Sequence, residues 1–290
     1  MRHVRLLVVA LLIVGAFAPV PSARAHEGVV ETLPPPGELP VIARTTVYTF
    51  RGDGLDQRRW QIVTGGGAGK GTAHPELQYY DDDAVTVSRG VLHLSALQLR
   101  QIDPADGFDY PYVSGRIESR EAYLFGRFEV KLKVPIGDGL WPAVWLRSPA
   151  GGGAVRGQID IFDGFGSHTD GFTASSAKWE GNRLVAATCV IVENFPDTTS
   201  CRRIGNPQRR RINYSVAYHT FGIDWEPDHL TWYVDDQPYW TITKGIPESP
   251  MILVMDLAVG GEQDSNPPVY HFFRTRFPAD FEISSVSITK

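Results

Sequence analysis

One segment after another in this chain alternates apolar and polar side chains with a period of two. Phe128, Val130, Leu132 and Val134 interleave with Glu129, Lys131 and Lys133, the pattern of a strand that buries one face and wets the other. Phe221, Ile223 and Trp225 lead through Glu226-Pro-Asp-His229 into Leu230, Trp232 and Val234, and Val286 and Ile288 repeat the scheme among Ser285, Ser287 and Thr289. Residues 84–97 are two alternating runs about Ser88-Arg89-Gly90, a hairpin signal. Met251–Val259 reads as a continuous apolar run, suited to a strand covered on both faces. No helical stripe of comparable length competes, and 29 Gly and 21 Pro supply the turns that many short strands require. The expected fold is all-β, a two-sheet β-jelly roll in one domain spanning 46–290, with a core between the sheets and an outer face free for a ligand.

The N-terminus reads as an export signal. Arg2 and Arg5 precede an apolar run from Leu6 to Ala18, and Ala23-Arg24-Ala25 offers a cleavage site, so residues 1–25 are a signal peptide. The run is too short to span a bilayer comfortably, and no later segment is a candidate span. Residues 26–45, with the triplet Pro34-Pro-Pro36, form an extended leader. A secreted or wall-associated monomer is expected. Loss of Arg2, Arg5 and Arg24 moves the net charge from −5 to −8, the wrong sign for a nucleic-acid partner. Export also bears on Cys189 and Cys201, the only cysteines. In an oxidising compartment they read as a disulfide worth roughly 3 kcal/mol.

Several motifs are excluded. Gly65-Gly-Gly-Ala-Gly-Lys-Gly-Thr72 imitates a phosphate loop but has Thr64 where the first Gly belongs and Gly71 after Lys70. There is no nucleophile elbow and no His-Glu-x-x-His zinc motif. No cofactor and no metal site are expected. The informative segment is Gly157-Gln-Ile-Asp-Ile-Phe-Asp-Gly164. On a strand, Gln158 and Asp160 share a face and Asp163 is out of phase; a β-bulge near Phe162 would bring all three together. Alone, such a row reads first as a solvated outer face and only second as the floor of a ligand site.

Its surroundings decide between these. Ser114-Gly-Arg-Ile117, Gly126-Arg-Phe-Glu-Val-Lys-Leu-Lys-Val-Pro135, Gly139-Leu-Trp-Pro-Ala-Val-Trp-Leu146, residues 219–235 and Leu257-Ala-Val-Gly-Gly261 flank the row in order. Together they resemble glycoside hydrolase family 16, the secreted jelly-roll enzymes that include laminarinases, lichenases and agarases. The resemblance runs from about Tyr48 to Ile288. It implies a cleft for β-linked glucan or galactan and a signature Glu-x-Asp-x-x-Glu of nucleophile, assisting Asp and acid/base. Here those positions hold Gln158, Asp160 and Asp163.

Gln158 has the shape of Glu without its charge, so it cannot attack an anomeric carbon as a carboxylate does. Asp163 can donate a proton but is a methylene shorter. The resemblance further assigns Trp141 as a sugar platform, and Trp179, Lys178 and Glu76 as substrate-binding positions, Trp179 following the catalytic strand where relatives often carry a His assisting the acid/base. His74 and Pro75 stand where relatives have two Asn, and Ser284 or Ser285 where many have a calcium-ligating Asp. Trp225, Trp232 and Trp240 read as core, and the basic stretch from Arg202 to Arg211 as a solvated loop. Binding of polysaccharide with impaired or lost retaining hydrolysis is the leading expectation. An active endo-glycosidase or transglycosylase using Asp160 and Asp163 is the alternative, and a structural wall protein ranks last.

Overall fold

The computed structural model describes residues 44–68, 70, 75–149, 155–192, 201–205, 212–260 and 275–290. Residues 1–25, read above as a signal peptide, nearly all of the expected leader, His74 and Arg209–Arg211 lie outside the described residues. The first strand, Thr45–Thr49, opens one residue before the expected start of the domain.

Two eight-stranded sheets carry the fold. One runs Gln237–Ile242, Leu230–Val234, His219–Trp225, Gly126–Lys133, Ala279–Thr289, Val91–Ala96, Val85–Ser88, with Thr45–Thr49 also paired to Ala279–Thr289. The other runs Arg202–Ile204, Arg183–Val192, Phe172–Glu180, Val155–Gly164, Leu140–Arg147, Met251–Val259, Arg116–Tyr123, Trp60–Ile62. Within the second sheet all pairings are antiparallel except the one at its edge, where Arg202–Ile204 runs parallel to Val190–Val192.

The alternation seen in the sequence is what brings the sheets together. Phe128, Val130 and Leu132 from one sheet and Ile159, Ile161 and Phe162 from the other are fully buried in one shared core. Phe162 and Phe221 bridge the layers with ring centroids 4.4 Å apart. Each such side chain contributes about 1.5–3 kcal/mol of burial free energy. Trp225 and Trp232 are core residues as expected, and Trp240 is half-buried, stacked on Trp232 at 4.1 Å. The hairpin turn falls on Arg89 and Gly90, both with positive φ, as a tight two-residue hairpin requires.

The Met251–Val259 strand needs a correction. It is buried almost throughout, but its sixth residue is Asp256, a charged residue that the apolar reading passed over. That carboxylate lies on the face turned away from the core, beside the polar row.

Candidate active site

The Val155–Gly164 strand lies at the middle of its sheet and carries the bulge. Asp160 is level with Trp145 and Ser175, but the next paired position is Phe162 with Val144, followed by Asp163 with Ala143 and Thr173. Ile161 is thus the extra residue. It and Phe162 both sink into the core with no exposure, and the phase shift turns Gln158, Asp160 and Asp163 to the same outward face. Although this face is turned away from the core, Asp160 and Asp163 are each only 7% exposed, so they form a recessed floor. A core residue fixes the distortion: the Trp232 indole Nε1 donates to the Asp160 carbonyl oxygen at 2.9 Å.

Within the row the three side chains differ sharply. Gln158 Nε2 donates to Asp160 Oδ1 at 2.8 Å, and the Ser175 hydroxyl donates to Asp160 Oδ2. Both oxygens of Asp160 are therefore held. Burial raises its pKa, while these two donors pull the other way. Asp163 has no comparable support. Burial first, then the Asp160 and Asp256 carboxylates, push it well above the ordinary range. The Trp141 indole lies near enough to favour the Asp163 anion, yet its Nε1 is buried without a well-formed hydrogen bond. Asp163 is thereby the more strongly disposed to hold a proton and Asp160 the more readily ionised, environments that separate an acid from a base.

The row extends across the neighbouring strands. Asp163, Ala143, Asp256 and Arg116 occupy successive strands in one register line. Asp256 accepts from Trp145 Nε1 at 2.7 Å and from the Tyr80 hydroxyl at 3.0 Å. Burial raises its pKa, and Arg116 opposes the rise. The Arg116 guanidinium stands 5.7 Å from the Tyr80 ring centroid and 5.3 Å from that of Trp145, in cation–π range. Glu118 Oε1 accepts from both Arg116 and Arg147 at 2.7 Å. Burial alone would raise its pKa, but the two guanidinium groups hold it below the usual value.

Of the remaining expected site residues, Glu76 lies at the Asp256–Arg116 end of the row, whose charges act on its carboxyl, while Trp179 and Lys178 lie towards the Gln158 end. Trp179 is level with Arg156, on the same face but at the Gln158 end. The antiparallel partner runs the other way, so the residue beside Asp163 is Thr173, and Trp179 cannot replace a group assisting the acid. Lys178 is level with Gly157 and faces the opposite side, where its Nζ donates to Glu248 at 2.9 Å. It is not part of the floor. Glu76 is bridged to Gly260 next to the strand bearing Asp256, and its Oε2 accepts from Ala68 N and Gln78 Nε2 at 3.0 and 2.7 Å, which ties it into the local scaffold.

Cys189 and Cys201 are disulfide-bonded. Cys189 is level with Ser175, so the bridge stands at the flank of the row. Asp81–Asp83 is the one group among the described residues whose carboxylates could converge on a metal ion. Asp82–Ala84 form a single 3-10 turn of helix, N-capped by Asp81, whose carboxylate accepts from Asp83 N at 3.1 Å. Among the described residues, no helix is long and apolar enough to cross a membrane.

An acidic row recessed in one sheet of a jelly roll, with indoles beside it, defines a class of carbohydrate-active proteins. The profile of Glycosyl hydrolases family 16 matches residues 76–272, and the chain belongs to that family. It is 28% identical over 241 residues to glucan endo-1,3-beta-glucosidase A1 of Niallia circulans, covering 74% of this chain and 33% of that protein. The chain therefore spans about a third of that relative's length. Against the glucan endo-1,3-beta-glucosidase of Cryptopygus antarcticus it is 30% identical over 233 residues, covering 73% and 78%. A beta-1,3-glucan-binding protein of Penaeus monodon is 31% identical over 140 residues, 47% of this chain and 36% of that one. Among solved structures, the endo-1,3-beta-glucanase (laminarinase) catalytic domain of Thermotoga petrophila superposes with TM-score 0.67 at 26% identity, covering 84% and 96%.

Sequence reasoning missed Asp256, Ser175, Arg147 and the part played by Trp232. A lone Asp inside an apolar run was the available signal for the first. The others become visible only through strand register.

Proposed function

We propose that this protein binds β-linked glucan in the cleft over Gln158, Asp160 and Asp163, and that the family's double displacement through a protein carboxylate is lost. One observation carries this reading: the position of the attacking carboxylate holds a neutral amide, and that amide donates to Asp160 at 2.8 Å. The neighbouring carboxylate is thereby restrained on both oxygens, whereas a nucleophile must bring a free lone pair to the anomeric carbon. Relatives that include both glucanases and a beta-1,3-glucan-binding protein support the ligand class. Trp141 supplies a flat apolar surface for a sugar face. Residues 1–25 direct export, and the exported domain acts as a monomer.

The alternative, hydrolysis with Asp160 as nucleophile or base, draws on Asp163 as the acid but requires one Asp160 oxygen to be freed from the donor that holds it. Oligosaccharide release from β-glucans and β-galactans, read by mass spectrometry, separates the two. Binding of laminarin without release, together with release gained in Gln158→Glu, is the expected result. Release by the unaltered protein that disappears in Asp163→Ala would overturn the loss of hydrolysis. Absence of glycan binding would overturn the cleft itself.

A further inference from the structure

An acid and a base side by side are more than a binding protein for neutral glucan needs. Buried carboxyl groups cost stability unless they are paired or protonated, and Asp160 and Asp163 are held nearly out of solvent with charge repulsion between them. What the floor lacks is only a nucleophile. Where the protein has none, a substrate can bring its own, as in those glycosidases that use a neighbouring group of the sugar.

Three features of the floor match such a sugar. Gln158 spends one N–H on Asp160, which leaves its second N–H and its Oε1 for an amide-bearing ligand. Asp160, with both oxygens accepting from Gln158 and Ser175, is the carboxyl whose neighbours favour the ionised form, the form that would oppose a developing positive charge. Across from Gln158 stands Ala177, half-buried and small, an apolar spot that suits a methyl group. On its other side the cation of Arg147 is already engaged by Glu118. The hydrogen-bonding and charge pattern is that of an acetamido group.

We infer that the sugar accommodated over Gln158 is a β-linked 2-acetamido-2-deoxy sugar, and that its acetamido oxygen performs the displacement Gln158 cannot. The inference rests on the cleft assignment made above. In the first step the acetamido oxygen bonds to C1 as the bond from C1 to the leaving oxygen breaks, and Asp163 gives its proton to that oxygen. The resulting oxazolinium carries its positive charge on the ring, with the N–H facing the Asp160 carboxylate. Water then bonds to C1 and passes a proton to Asp163, while the bond from C1 to the acetamido oxygen opens. The acetamido group is restored, Asp163 is reprotonated, and the anomeric configuration is retained.

The test compares 4-methylumbelliferyl glycosides of β-linked N-acetylglucosamine oligomers with their glucose counterparts, and measures binding of N-acetylglucosamine-thiazoline and of laminari-oligosaccharides by calorimetry. The N-acetylated substrate should turn over at least about a thousandfold faster than the glucose one, since a well-placed internal nucleophile is equivalent to a very high local concentration. Its trifluoroacetamido analogue should lose kcat with little change in KM. The thiazoline should bind the unaltered protein and lose affinity in Asp160→Asn. Binding of laminari-oligosaccharides with no binding of the thiazoline and no N-acetylglucosaminide turnover would overturn this inference and leave the glucan reading standing. Failure to bind any of the sugars would overturn both.

Discussion

Asp160 and Asp163 are one residue type three positions apart, and their surroundings give them different work. Asp163 is raised well above the ordinary carboxylate range by burial and by two neighbouring carboxylates. A raised pKa in the folded state means that its contribution to stability is whole below the unfolded value of about 3.9 and is lost as pH rises through the folded value. Asp163→Asn should therefore raise the melting temperature at pH 7, with a gain that shrinks to nothing towards pH 3; a thermal scan across that range checks it. Trp141→Ala should weaken laminarin binding by about tenfold, the scale of an aromatic contact worth about 1.4 kcal/mol, measured by calorimetry. The row Gln158, Asp160, Asp163 was legible because alternation and a single bulge suffice to place it. Asp256 was not, because a run of apolar neighbours hid one charged residue. Lys178 was misplaced for want of a strand register.

At the scale of the strand, the bulge at Ile161 sets the geometry of the floor. Its backbone is tied down by the Trp232 indole at 2.9 Å, so Trp232→Phe should cost about 1–2 kcal/mol in urea denaturation, the cost of stranding a buried polar group. Glucan affinity should fall with it, because Asp160 is the residue released. Gly157 precedes the row, and a Cβ placed there would lie 2.5 Å from Pro247 Cβ. Gly157→Ala should destabilise by about 1–3 kcal/mol, the range for overpacking, by the same measurement. The existence of most strands could be read from hydrophobic periodicity. Their partners could not, since pairing joins residues far apart in the chain, as when Ala143 brings Asp163 and Asp256 into one line.

The whole molecule is a sandwich whose acidic row lies on one sheet while much of its cohesion comes from contact between the two. The Cys189–Cys201 bridge closes a segment of sequence separation 12 and fastens the short parallel strand Arg202–Ile204 at the sheet edge. Replacing both cysteines by Ser should lower stability by about 3 kcal/mol on the chain-entropy account, seen as a lower urea midpoint, while the core stays folded. That all-β architecture was visible in the sequence because every layer repeats one period. The floor of the cleft and the core share the Val155–Gly164 strand, with Ile159, Ile161 and Phe162 turned inward and Gln158, Asp160 and Asp163 turned outward. Heredity can therefore treat the two sets separately. A lineage can exchange the outward letters, Glu for Gln or Glu for Asp, each by a single-base change, without disturbing the inward ones that hold the sandwich together. The strand acts as a partition between what descent must keep and what it is free to rewrite, and a new chemistry can be tried on an old frame at little risk to folding.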